Sequence, residues 1–131
     1  MREPRWVPRA AVEAVHLDQL REHGGLAGLR DEGLLESALA RPRQKWTYQR
    51  KPDLATLAAA YAFGLVKNHP FHDGNKRVAF LTAVMFVGLN GYELVAEESE
   101  VVTAMLGVAA GGATESDLAQ WIRGHIRRTK S

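Results

Sequence analysis

The chain has 131 residues, a formal net charge of +2 and no cysteine. That length fits one domain able to bury a core without crosslinks, and the missing cysteines exclude disulfides and thiolate metal sites. The start, MREPRWVPRA, has no apolar signal core and no apolar run reaches the roughly 18 residues of a membrane span, so a soluble cytoplasmic protein with no membrane partner is expected.

Nearly every segment has helical spacing, and strand-like alternation is almost absent. A first helix is expected over about residues 8–23, with Val12, Val15 and Leu20 on one face and Gly24-Gly25 as its stop. A Gly-rich loop follows. Asp31 is placed to cap a short helix through Leu34, Leu35, Ala38 and Leu39, which should end before Pro42 because the residue preceding proline avoids the helical region. Residues 43–51, RQKWTYQRK, then read as a polar connection. From Pro52 or Asp53 the segment DLATLAAAYAFGLVKN is apolar on every side, as is RVAFLTAVMFVGL further on. Both are expected to be buried central helices, the second ending at Asn90-Gly91 in a left-handed cap. Residues 92–96 could be a short extended piece. Ser99 is placed to cap a helix through Ala110, and Thr114 with Asp117 resembles a capping box for the last helix. The expected fold is all-α, a compact single-domain bundle of about six helices covering residues 1–131.

Residues 123–131 hold Arg123, Arg127, Arg128 and Lys130 and no acid, so the rest of the chain is net acidic. Such a basic tail suits the negative end of a final helix and solubility; direct nucleic-acid binding is not expected from it.

Between the two apolar segments stands KNHPFHDGNKRVAF, with His69, His72, Asp73, Asn75, Lys76 and Arg77 close together. Pro70 cannot continue the preceding helix, so His69 sits where that helix ends. Asp73 reads as an N-cap, behind which the free N–H groups of Gly74, Asn75 and Lys76 open the next helix and form an anion site. Gly74 allows close backbone approach to a phosphate; Lys76 adds a point charge and Arg77 a planar fork. A carboxylate beside such a nest makes sense when Mg²⁺ is shared with the phosphates, which points to a Mg-nucleotide. His69 is then placed to take a proton from an attacking hydroxyl. Phe71 reads as the apolar anchor of the turn.

HPFHDGNKR resembles the H-x-F-x-D/N-A/G-N-K-R motif of the Doc (death-on-curing) branch of the Fic/Doc family, the toxins of bacterial toxin–antitoxin modules. The resemblance extends to HGGLAGLRDEGLLESALARP and to NGYEL, and the family fold is all-α with the active-site loop between two central helices. It implies transfer of the γ-phosphate of ATP to a protein Thr hydroxyl, on translation elongation factor Tu, arresting translation. His69 would be the general base, Asp73 the Mg²⁺ ligand, and Asn75 with the backbone of Gly74 and Lys76 the anion hole. Lys76 and Arg77 would bind the nucleotide phosphates. The AMP-transferring Fic group resembles H-P-F-x-D/E-G-N-G-R-x-x-R instead; here Lys76 replaces a glycine and Phe80 the second arginine, which favours the Doc type. Self-inhibited Fic proteins carry S/T-x-x-x-E-G/N, but Gly28 stands four residues before Glu32-Gly33, so a separate Phd-like antitoxin is expected to supply inhibition. Loop 24–33 or stretch 43–51 could be the flap that aligns the target.

Two other classes stand beside this reading. His72-Asp73 could be the dyad of an HD-type metal phosphohydrolase completed by His16 and Asp117, although that leaves Asn75, Lys76 and Arg77 without a task. A non-catalytic binding module using the basic tail is the other.

Overall fold

The computed structural model describes residues 2–129. In chain order these form α1 (Arg9–His23), α2 (Glu32–Tyr48), α3 (Leu54–Asn68), α4 (Asn75–Leu89), β1 (Tyr92–Leu94), α5 (Glu98–Ala110), α6 (Glu115–Arg123) and β2 (Ile126–Arg128). The expected all-α bundle is what the chain adopts, with the two apolar segments at its centre.

α3 packs against α2, α4 and α6 together. Its run of alanines presents little more than a backbone cylinder, which lets three helices approach closely, while Leu57, Tyr61 and Leu65 fill the spaces between them. Gly64 lies where α2 crosses: a Cβ there would stand 3.3 Å from the Cα of Ala38. The Tyr61 hydroxyl accepts the Val7 N–H at 3.0 Å, tying the N-terminal segment to the core, and burial pushes the phenol above its ordinary pKa. α4 buries Val78, Ala79, Ala83, Phe86 and Val87 in the same core.

Four local expectations are corrected. The second helix does not stop before Pro42 but runs to Tyr48, taking most of the supposed polar connection with it. A proline inside a helix removes one backbone bond and costs about 3 kcal/mol. Tertiary contacts beyond the proline offset this: Trp46 packs on the core, Lys45 reaches Glu115 at 3.0 Å, and Arg43 lies over Trp6 at 5.5 Å. α5 starts before Ser99, with Glu97 as its N-cap residue and the Glu97 N–H donating to Glu100 Oε1 at 3.1 Å. α4 is entered through Gly74, in the left-handed region at φ 82°, and Asp73 is not its cap.

The fourth concerns the basic tail. α6 ends at Arg123, and residues 126–128 turn into a strand antiparallel to β1, in register Tyr92↔Arg128 and Leu94↔Ile126. Its cations are engaged within the fold: Arg123 pairs with Asp53 at 2.7 Å, Arg127 with Glu93 at 2.7 Å, and Arg128 lies over Tyr92 at 5.8 Å. Lys130 lies outside the described residues. The capping box of Thr114 and Asp117 forms as read, Thr114 Oγ1 accepting the Asp117 N–H at 3.0 Å.

Gly64→Val should destabilise by about 2–3 kcal/mol in urea unfolding, because the added methyls meet the α2 backbone at Ala38, which cannot give way as the Arg41 side chain beside it can. Asp53 accepts the Thr56 N–H at 2.9 Å as the N-cap of α3. The Arg123 hydrogen bond, then those from Thr56, hold its carboxyl well below the ordinary range. Its contribution is therefore complete above the ordinary range and is lost progressively as pH falls from there through the depressed folded value. Asp53→Ala should cost about 1 kcal/mol at neutral pH, and the gap from wild type should narrow in unfolding measured below about pH 4.

Candidate active site at the junction of α3 and α4

α3 must end with its last carbonyls satisfied, and the loop after α1 meets that need. The Arg30 guanidinium donates to the His69 carbonyl at 2.7 Å and to the Asn68 carbonyl at 2.9 Å, which also places a cation at the negative end of the helix. His69 itself adopts φ 49°, a left-handed conformation uncommon for a residue with a side chain. The chain then runs antiparallel to 28–31: the Pro70 carbonyl accepts the N–H groups of Arg30 and Asp31, and Leu29 bridges Phe71. Of the two candidate flaps, it is thus loop 24–33 that lies along the site, while residues 43–48 belong to α2.

The turn is held from within by Asn75. Its side chain is buried, its Oδ1 accepts the Phe71 N–H at 3.0 Å, and its Nδ2 donates to the Phe71 carbonyl at 2.8 Å. Those two bonds fix the amide orientation, so the contact of Nδ2 with His69 Nδ1, 3.0 Å, has the amide as donor. Neutral His69 then carries its proton on Nε2. Acceptance of a proton by His69 accordingly requires the Asn75 contact to open. With the Asn75 side chain turned inward, what this residue offers an anion is its backbone N–H.

Asp73 is exposed and is fixed at both ends. Its Oδ2 accepts the Leu26 N–H at 2.6 Å, and its backbone carbonyl lies 2.9 Å from Nε2 of the buried His16. Gly25 permits this approach, since a Cβ there would stand 3.1 Å from the Asp73 Cβ. Among the described residues nothing donates to Asp73 Oδ1, and nothing accepts from the N–H groups of Gly74, Asn75, Lys76 or Arg77. Lys76 and Arg77 are exposed and, among the described residues, no carboxylate pairs with them. They border a groove of about 760 Å³ between α4 and α5, lined also by Phe80, Val101, Met105 and Leu106. One free carboxylate oxygen beside four unpartnered N–H groups and two free cations suits a Mg²⁺ shared with phosphates, which needs one or two carboxylates and completes its shell with phosphate oxygens and water.

The sequence-predicted residues His69, Asp73, Gly74, Asn75, Lys76 and Arg77 are thus all at one junction. Phe71 is the buried anchor, stacked on His16 at 3.9 Å between ring centroids. The metal-dyad alternative does not assemble: among the described residues no three His, Asp or Glu side chains are grouped to hold a metal, and Asp117 is engaged with Thr114. Leu26 and Arg30 had no role of their own from sequence beyond the candidate flap 24–33, and His16 had one only in the metal-dyad alternative. The one signal for the first two is the glycine spacing GGLAGLR, which marks a loop built for close backbone contact.

This arrangement defines a helical domain with a helix start of unpartnered N–H donors, a carboxylate and a histidine around one turn. A family model described as Fic/DOC family matches residues 6–87. "Protein kinase doc" of Escherichia phage P1 is 31% identical over 110 residues, 84% of this chain and 86% of that protein. "Toxin Doc" of Mycolicibacterium smegmatis is 41% identical over 75 residues, covering 56% of this chain and 58% of the relative. The chain belongs to the Fic/DOC family, on its Doc branch.

Asn75→Ala should cost about 2–4 kcal/mol in urea unfolding, since it leaves the N–H and carbonyl of buried Phe71 without partners. In the wild type, ¹⁵N shifts of neutral His69 should report Nε2 protonated and Nδ1 bare; the variant should lose that preference.

Proposed function

We propose that the protein is a Doc-type toxin that transfers the γ-phosphate of ATP to a protein Thr hydroxyl, on translation elongation factor Tu, and so arrests translation. The observation that carries the reading is the cluster of free donors at the start of α4, flanked by Lys76, Arg77 and one free oxygen of Asp73. The names of the two relatives, a protein kinase and a toxin, support it.

In this reading the N–H groups of Gly74, Asn75 and Lys76 hold the phosphate oxygens, with Lys76 and Arg77 neutralising charge as the transition state spreads it outward. Asp73 would hold Mg²⁺, which would supply further neutralisation of phosphate charge. The attacking Thr oxygen bonds to the γ-phosphorus as the bond to the bridging oxygen breaks and ADP leaves. The Thr proton passes to His69, whose ring is released from Asn75 as the substrates enter. Loop 24–33, already paired with the chain at Phe71, is the segment that would align the target backbone. Phe80 borders the groove beside Lys76 and Arg77 without a charge for the far end of a triphosphate, which favours γ-phosphate transfer over AMP transfer. Inhibition would come from a separate Phd-like antitoxin; a chain laid along that groove would cover both cations.

Incubation with elongation factor Tu, Mg²⁺ and ATP, followed by intact mass of the target, should give a gain of one phosphate. His69→Ala should reduce the rate by about 10²-fold or more while keeping the wild-type unfolding curve, because His69 is exposed and outside the core. An AMP-sized gain would replace the kinase reading with nucleotidyl transfer. No gain on any protein of a whole lysate would remove the enzyme reading.

A further inference from the structure

His16 is the one buried histidine among the described residues, and the chemistry proposed above gives it no task. It lies on α1, far in sequence from the junction, yet it makes two contacts there. Its ring stacks on Phe71 with 14° between planes, and Nε2 lies 2.9 Å from the Asp73 backbone carbonyl. A carbonyl oxygen can only accept, so Nε2 carries the proton in this contact.

The consequence follows from peptide geometry. In a trans peptide the C=O and N–H point in opposite directions, and no cis peptide occurs among the described residues. Holding the Asp73 carbonyl inward toward His16 therefore turns the N–H of Gly74 away from it, where no described residue accepts it. This peptide is otherwise free to rotate: the residue after it is a glycine, which occupies φ 82° here and tolerates other conformations equally well. A rotated peptide would present a carbonyl oxygen, not an N–H, to any phosphate at the start of α4, exchanging attraction for repulsion. The Leu26 N–H fixes the Asp73 carboxylate but does not restrain its carbonyl.

We propose that His16 is a positioning residue that locks the Asp73–Gly74 peptide with its N–H outward and thereby completes the phosphate nest. It acts through the backbone and touches no reacting atom. The proposal rests on the phosphate-nest reading above and adds to it a residue from α1.

The test uses the full chain, inorganic tripolyphosphate as the probe, and two variants. His16→Phe keeps an aromatic ring against Phe71 and removes the donor; His16→Gln restores an N–H near the position of Nε2. Calorimetry should find tripolyphosphate binding weakened about tenfold or more in His16→Phe and largely recovered in His16→Gln. Thermal unfolding of each variant separates this from a loss of fold, and the amide resonance of Gly74 should shift on titration of the wild type. Wild-type affinity in His16→Phe, or equal impairment in both variants, overturns the positioning role and leaves the nest reading standing. A wild type that binds no tripolyphosphate overturns the nest reading and this proposal with it. Independently of any variant, ¹⁵N shifts of neutral His16 should report the Nε2–H tautomer; the opposite tautomer overturns the proposal.

Discussion

A helix has no partners of its own for its last carbonyls, and α3, packed against α2, α4 and α6, draws them from elsewhere in the chain. At its C-terminus the need is met by Arg30 on the Asn68 and His69 carbonyls, while the pairing of residues 28–31 with the following turn satisfies Pro70. Asn75, reaching back from the next helix, closes the N–H and carbonyl of Phe71. Once these inward obligations are discharged, the polar groups remaining at the outer side are the N–H donors at the start of α4 and the carboxylate of Asp73. The site is in this sense what the turn leaves over once the groups around buried Phe71 are paired.

The placement of charge sharpens that conclusion. Arg9, Arg41, Arg123 and Arg127 each have a carboxylate partner within the fold. Lys76 and Arg77 have none among the described residues, and they occupy the first turn of α4, which carries no acid. Two cations at the positive end of a helix dipole are mildly destabilising, by tenths of a kcal/mol to about 1 kcal/mol each. A fold optimised only for stability would place acids there, as α6 does with Glu115 and Asp117. The arrangement supports the anion-binding role proposed for this helix start.

The central helices, their junction and the residues that gather there were legible because they depend on local rules: unbroken apolar periodicity and a proline that ends a helix. Capping at Asp31 and Thr114 was legible for the same reason, each side chain serving an N–H three residues away. What misled was local too. Pro42 reads as a helix end, and would be one in isolation, but Trp46 and Lys45 continue the helix by contacts with distant parts of the chain. Asp73 reads as a cap, yet its carboxylate is drawn to Leu26, 47 residues away in sequence. The basic stretch reads as the end of the final helix, and pairing with β1 turns it into a strand with internal partners.

The sequence alone determined that His69, Asp73, Gly74, Asn75, Lys76 and Arg77 meet at the site, since all six lie in one short stretch between two core helices. Tertiary structure decided how each is held. That His69 faces Asn75 through Nδ1, that Asp73 keeps one oxygen free, and that His16 fixes the peptide before Gly74 all depend on hydrogen bonds between side chains and a backbone folded against them. Such bonds are directional, with angular limits that residue order does not encode, and they form only after α1 and its loop have packed against the turn.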